Sequence, residues 1–484
     1  MESYKSPNDI NAYYYDRKIY KINQLLPAKD RYNFEEYEEK SFDELLLGLN
    51  DSINIIMNYH NNIANLPKAI EILRDIVYHK DFHILPIFND IQFAQSFFNV
   101  INIQSSSMTP TFKHCLEIIS NIWYYTSDLS SPITNENIVK AVVRFCGSTN
   151  QKEILPYAFF AIANYCGISL EARNGLLSLN IFSALQKYLR QSTCKEPVRS
   201  GLRLSLNLMI HGVEDIWSDI RTLIPISRCH IQHVNKCNRE LAAKCLNKIL
   251  NFPQTVQDCI DMQVHIKLYE TIKQYKYNNY VFGSALLFVH HGFDEIFTTL
   301  EFVQIIHNHL TRLMKSSDHQ SDDLTEINQE NANYSEENEL NCGKDYSTLF
   351  TLISKLLPKI HEILYELNTF NLIIKIAREG TFENMTAAAF CLSNYIANAP
   401  IQKAAEIGRN GGFEACINIL DSDTDSIILE NLHAIYILLN FDGVTFIPLA
   451  QNNELENILN TINTENQECQ EKIAIIHEIL NPKE

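Results

Sequence analysis

The chain has 484 residues, 46% of them hydrophobic, and only 14 Gly and 14 Pro. Apolar content at this level can bury a large core, and the scarcity of turn residues argues against a β-rich or doubly wound fold and for helices joined by short loops. A formal net charge of −18 argues against duplex binding, which needs clustered Lys and Arg, and favours basic partners.

The first 40 residues begin MESYKSPNDINAYYYDRK. The stretch is polar with no apolar h-region, so no signal peptide is expected. We read residues 1–40 as an N-terminal extension and 41–466 as the packed array. No window approaches the roughly 18 apolar residues of a membrane helix, and no membrane partner is expected. The twelve Cys are scattered, mostly singly inside helical patterns, which reads as reduced thiols in the cytoplasm and nucleus.

Within the array a helical segment recurs. AFFAIANYCG at 158–167 and AAAFCLSNYIA at 387–397 share Phe-x-x-x-Asn-Tyr, as Phe160, Asn164, Tyr165 and Phe390, Asn394, Tyr395. Each is followed at matched distance by Phe-x-Ala-x-x-x-x-Leu, at Phe182–Leu189 and Phe413–Leu420. The same Asn register falls at Asn121 in EIISNIW, Asn207 in LRLSLNLM and Asn247 in AAKCLNKIL, with spacings of 43, 43 and 40 residues. One period earlier lies AIEILRDIVYH, with Arg74 near the register, and later positions near Leu287, Lys355 and Ile437 lack the Asn.

Repeats of roughly 40–47 residues with two or three helices each are the signature of armadillo and HEAT arrays. No unit can bury its amphipathic helices alone, so stacking makes one continuous core. The fold class expected is therefore all-α, a right-handed armadillo-type solenoid of about nine units, with a capping helix in 467–484. The run 316–345 holds nine acidic and few large apolar residues. It reads as a disordered insertion in the array, either a solvated loop or an acidic lure for a basic partner.

Asn side chains repeated once per unit could clamp the backbone of an extended peptide, because each amide offers two donors and an acceptor. An aromatic four residues earlier lies on the same helical face and could form a slot for a Lys or Arg stem. A mid-helix Asn can equally be a satisfied polar residue bonded to its surroundings. The candidate groove residues are Asn121, Phe160, Asn164, Arg203, Asn207, Asn247, Phe390 and Asn394.

The arrangement resembles importin-α, whose third helices carry Trp-x-x-x-Asn in successive armadillo repeats. The likeness spans roughly residues 41–440 in register and is detailed at 112–121, 156–189 and 382–437. It implies a groove that binds basic nuclear localisation signals, importin-β as a partner of the N-terminal segment, and Arg74 as the basic residue of the first repeat. The Trp position holds Glu117, Phe160, Arg203, Ala243 and Phe390 here, and Ile168 stands where that family usually has an acidic residue. The basic residues of 1–40 are interleaved with Asp and Glu.

Cys229, His230, His233, Cys237 and Cys245 form the one metal-like cluster, at a spacing that fits no zinc pattern. No Gly-rich phosphate loop, nucleophile elbow or His-Glu-x-x-His occurs. No catalytic residue, metal or cofactor is expected. The sequence leaves two readings: an importin-α-like adaptor whose groove holds an extended basic segment of a cargo protein, and an armadillo scaffold for complex assembly with no transport role.

Overall fold

The computed structural model describes residues 42–79, 86–103, 108–126, 129–147, 153–192, 194–212, 216–318, 346–422 and 424–482. The extension 1–40 lies outside them, as does nearly all of the acidic run. Only its first three residues are described, as the end of the helix Leu300–Asp318. Every regular element among the described residues is helical. They divide into two compact units, one ending at Asp258 and the other beginning at Cys259.

In the first unit five helices stack in consecutive order: α1 (Leu66–Tyr78), α2 (Thr109–Tyr125), α3 (Leu155–Cys166), α4 (Lys195–Ile210) and α5 (Lys236–Leu250). In the second unit a like series runs through α6 (Asn279–His290), α7 (Ser347–Glu366), α8 (Phe382–Asn398), α9 (Asp425–Phe441) and α10 (Gln467–Leu480). Other helices connect successive members of each series.

The two kinds of helix differ in sequence for a physical reason. The connecting helix Ile181–Gln191, IFSALQKYLRQ, buries Ile181, Phe182, Leu185, Tyr188 and Leu189. That spacing is a single apolar stripe, as for a helix covered on one side. Helix α3, LPYAFFAIANYC, is buried at every position from Ala158 to Cys166. A helix apolar on all sides belongs in the middle of a packed layer, with neighbours before, behind and beneath it. Each fully buried Leu, Ile or Phe contributes about 1.5–3 kcal/mol relative to exposure.

The corner between connecting helices also repeats. Asn180, Gln263, Asn368 and Glu454 take left-handed conformations, with φ of 56°, 56°, 57° and 51°. Each stands immediately before a helix, Ile181–Gln191, Val264–Gln274, Thr369–Glu379 and Leu455–Thr461. Gly411, with φ of 111°, occupies the equivalent place before Phe413. The last three corners, at 368, 411 and 454, keep a spacing of 43 residues, so the backbone bends once per repeat where the chain reverses. Side-chain caps set other helix starts: Ser169 Oγ accepts from Ala172 N at 3.1 Å, and Asn235 Oδ1 from Asn238 N at 3.2 Å.

Candidate functional site: the register columns of the stacked helices

The expected groove residues of the first unit fall into two columns that run from helix to helix. The first holds Asn121, Asn164, Asn207 and Asn247. All four are at most 1% exposed. The Asn164 amide donates to the Ser120 carbonyl at 3.0 Å and to Ser120 Oγ at 3.1 Å. Asn207 donates to the Ala163 carbonyl at 2.7 Å, and Asn121 to the Val77 carbonyl at 3.4 Å. Every acceptor lies 44 residues back in the chain. It is the residue just before the equivalent position of the preceding repeat. The amides therefore bridge adjacent helices of the layer rather than projecting from it. For Asn121, Asn164 and Asn207 the amide donors expected to face a peptide backbone are bonded within the protein. A buried amide without such a partner would be costly, which explains why the column is polar yet sealed.

Between α4 and α5 two further bonds cross from helix to helix. Asn238 donates to the Lys195 carbonyl at 3.0 Å, and the Cys245 thiol to the Leu202 carbonyl at 3.5 Å. Asn238 was not among the expected residues. Its separation of 43 from Lys195 is the signal that could have found it.

The second column stands four residues earlier and keeps a spacing of 43: Arg74, Glu117, Phe160 and Arg203. Arg74 thus belongs with Phe160 and Arg203, and Tyr78 is the residue in line with Asn121. The column is 1–8% exposed and laced together. Arg74 Nη2 pairs with Asp75 Oδ1 at 2.6 Å, and its Nη1 lies 3.1 Å from His114 Nε2. His114 Nδ1 lies 2.8 Å from Glu117 Oε2. Arg74 Nη1 also lies 3.0 Å from His114 Nδ1, so that ring nitrogen sits between the guanidinium and the Glu117 carboxylate. Lys113 Nζ sits 4.8 Å over the Tyr157 ring, and the Arg203 guanidinium 5.1 Å over the Phe160 ring. Phe160 is 7% exposed and already covered by a cation of its own chain, so it does not form the expected open slot.

In the second unit Phe390 is 1% and Asn394 is 4% exposed. The Asn394 amide donates to the Phe390 carbonyl of its own helix at 2.9 Å, and Asn431 repeats this with the Ile427 carbonyl at 2.8 Å. Asn394 therefore shares a sequence register with Asn164 but not its bonding. Neither residue lines an open surface. Glu430 is 2% exposed, its Oε2 has no hydrogen-bond partner among the described residues, and burial pushes its carboxyl up to about 7.

The cysteine–histidine cluster does not converge. Cys229 and Cys237 are exposed, Cys245 is buried, and the His230 and His233 rings are 6.1 Å apart. Among the described residues no three His, Cys, Asp or Glu side chains come together as a metal site would need. Trp123, outside the register, is a core residue whose Nε1–H donates to the Ile133 carbonyl at 3.2 Å.

No protein-family model and no curated protein sequence matches the chain. Among solved structures, an engineered protein from a structural genomics consortium is similar over 90% of this chain and 100% of its own, at 14% identity and a TM-score of 0.60. A designed armadillo repeat protein is similar over 62% of this chain and 99% of its own, at 13% identity and a TM-score of 0.32. At such identity only the fold is shared, and among the described residues that fold is all-α, with successive helices stacked within each unit.

Proposed function

We propose that the chain is a protein-binding scaffold, without catalysis of its own, that works in the cytoplasm and nucleus. The observation that carries this reading is the use of the register columns. The Asn amides and the Arg74–His114–Glu117 chain tie repeat to repeat, which favours a stiff platform over a peptide clamp. Repeat solenoids expose long faces and bind other proteins through them. The burial of eight of the eleven described cysteines inside the helical stack supports a reducing compartment.

The importin-α-like adaptor is the second reading, and charge in the second unit favours it. Helices α7 to α10 carry eight Asp and Glu against three Lys. A basic segment would therefore be attracted there rather than along Asn121–Asn247. Importin-β would have to be recruited through residues 1–40.

Chemical cross-linking of the full-length chain in a lysate of its own cells, followed by size exclusion and mass spectrometry, tests the scaffold. It predicts one or a few proteins that co-elute reproducibly with the chain. Migration as an isolated chain, together with tight binding of a Lys-rich peptide, would replace the scaffold with the adaptor.

A further inference from the structure

A second charge pattern lies in the first unit, and it has the opposite sign. Helices α4 and α5 read KEPVRSGLRLSLNLMI and KCNRELAAKCLNKIL, with seven Lys and Arg against Glu196 and Glu240. The excess of five positive charges stands in a chain whose total is −18.

The outward-facing residues are more selective still. From Val198 to Met209 every residue of α4 is buried except Arg199. From Leu241 to Leu250 every residue of α5 is buried except Lys244 and Lys248. In α3, Ala158 to Cys166 show nothing. Arg203, 8% exposed over the Phe160 ring, completes the stripe. Cations are thus what these mid-helix stretches present outward, while Glu196 and Glu240 stand half-buried near the starts of the same helices.

We propose that the stripe Arg199–Arg203–Lys244–Lys248 holds an extended acidic segment of a protein partner. The proposal rests on the scaffold reading and names the chemistry of one partner. Spacing supports it. Adjacent packed helices lie about 8–10 Å apart, and one helical turn is about 5 Å. Alternate side chains of an extended chain repeat every ~7 Å. An acidic segment crossing α4 and α5 therefore brings a carboxylate near a cation at roughly every second or third residue. Burial lowers Lys248 from its ordinary value, and a carboxylate beside it would raise it again.

Nucleic acid is the poorer occupant. A single-stranded ligand needs open aromatic faces on which bases stack, and the Tyr157 and Phe160 rings are covered by Lys113 and Arg203.

The test is fluorescence anisotropy on the full-length chain with a labelled Glu-rich peptide, a Lys-rich peptide and a single-stranded oligonucleotide. The Glu-rich peptide should bind, and Arg199→Glu with Lys244→Glu should weaken it roughly tenfold or more, each lost or reversed pair counting for about 1 kcal/mol. The milder pair Arg199→Gln and Lys244→Gln should weaken it less and in the same direction. Circular dichroism on both variants confirms folding. No binding of the Glu-rich peptide, equal binding by folded variants, or tighter binding of the oligonucleotide would overturn the proposal. A protein partner captured by cross-linking alongside no affinity for the Glu-rich peptide would sink the acidic-segment proposal and leave the scaffold standing; no partner and no peptide binding would sink both.

Discussion

The side-chain amide of Asn164 donates to the main-chain carbonyl of Ser120, 3.0 Å away and 44 residues earlier in the chain. The same bond recurs between Asn207 and Ala163 and between Asn121 and Val77. A helical carbonyl already accepts from the amide four residues on, yet it keeps a second lone pair. The Asn uses that lone pair. It links two helices, and its geometry fixes which turn faces which. Dispersion and burial supply most of the adhesion between repeats. The amide supplies register, since a slip by one residue would leave it buried and unbonded at a cost of about 1–3 kcal/mol.

The stack of Arg203 on Phe160 predicts a measurable coupling. Phe160→Ala should cost about 3–5 kcal/mol of stability through the cavity it leaves. Arg203→Ala alone should cost less, and the double-mutant cycle should give a coupling of about 0.5–2 kcal/mol for a desolvated cation–π pair. Urea unfolding of the four proteins checks this, and strict additivity would remove the pair from the account.

Glu430 predicts a pH dependence of known sign. Burial raises its carboxyl from 4.5 to about 7. Between those values the unfolded chain has lost a proton that the folded chain keeps, so stability falls as pH rises, and it levels off above the upper value. The loss contributed by this one group is about 3 kcal/mol across the window. Glu430→Gln, which keeps the shape and removes the ionisation, should flatten the decline and raise stability at pH 8. Thermal melts from pH 4.5 to pH 8 make the comparison; a variant with the same slope as the parent would mean that other groups set it.

The corner at Glu454 predicts a stabilising substitution. A left-handed backbone costs an L-residue about 1–2 kcal/mol, and the equivalent corner at 411 holds glycine. Glu454→Gly removes that strain and returns about 0.5–1 kcal/mol in unfolded-state entropy. A gain of up to about 1 kcal/mol is expected by urea unfolding. A loss would show that the Glu454 side chain contributes more than the strain removes.

The array itself was legible because a 43-residue period is a property of spacing, and spacing survives in one sequence. Phe160 and Asn164 stand on one stacked helix of the first unit, and Phe390 and Asn394 on one of the second. The direction of the side chains was not legible. Asn164 bonds across to another helix and Asn394 bonds along its own, although the local sequences agree on Phe-x-x-x-Asn-Tyr. The difference is made by neighbours: Ser120 offers its carbonyl and its hydroxyl to Asn164, and those partners lie 44 residues away. Arg74 falls near the Asn register because it lies about one period before Asn121. Its pairing with His114 shows it in the column four residues earlier. The cationic stripe was hidden for another reason. A total charge sums over all surfaces, and −18 overall is compatible with an excess of +5 on two adjacent helices.

The role of the Asn column is tested most directly by urea unfolding of the double variant Asn164→Ala, Asn207→Ala, followed by circular dichroism beside the parent chain. If the amides hold repeat to repeat, the first unit loses about 2–6 kcal/mol, the sum of two buried hydrogen-bonded positions. An unchanged unfolding curve would contradict the account and return the Asn column to the role of a peptide clamp.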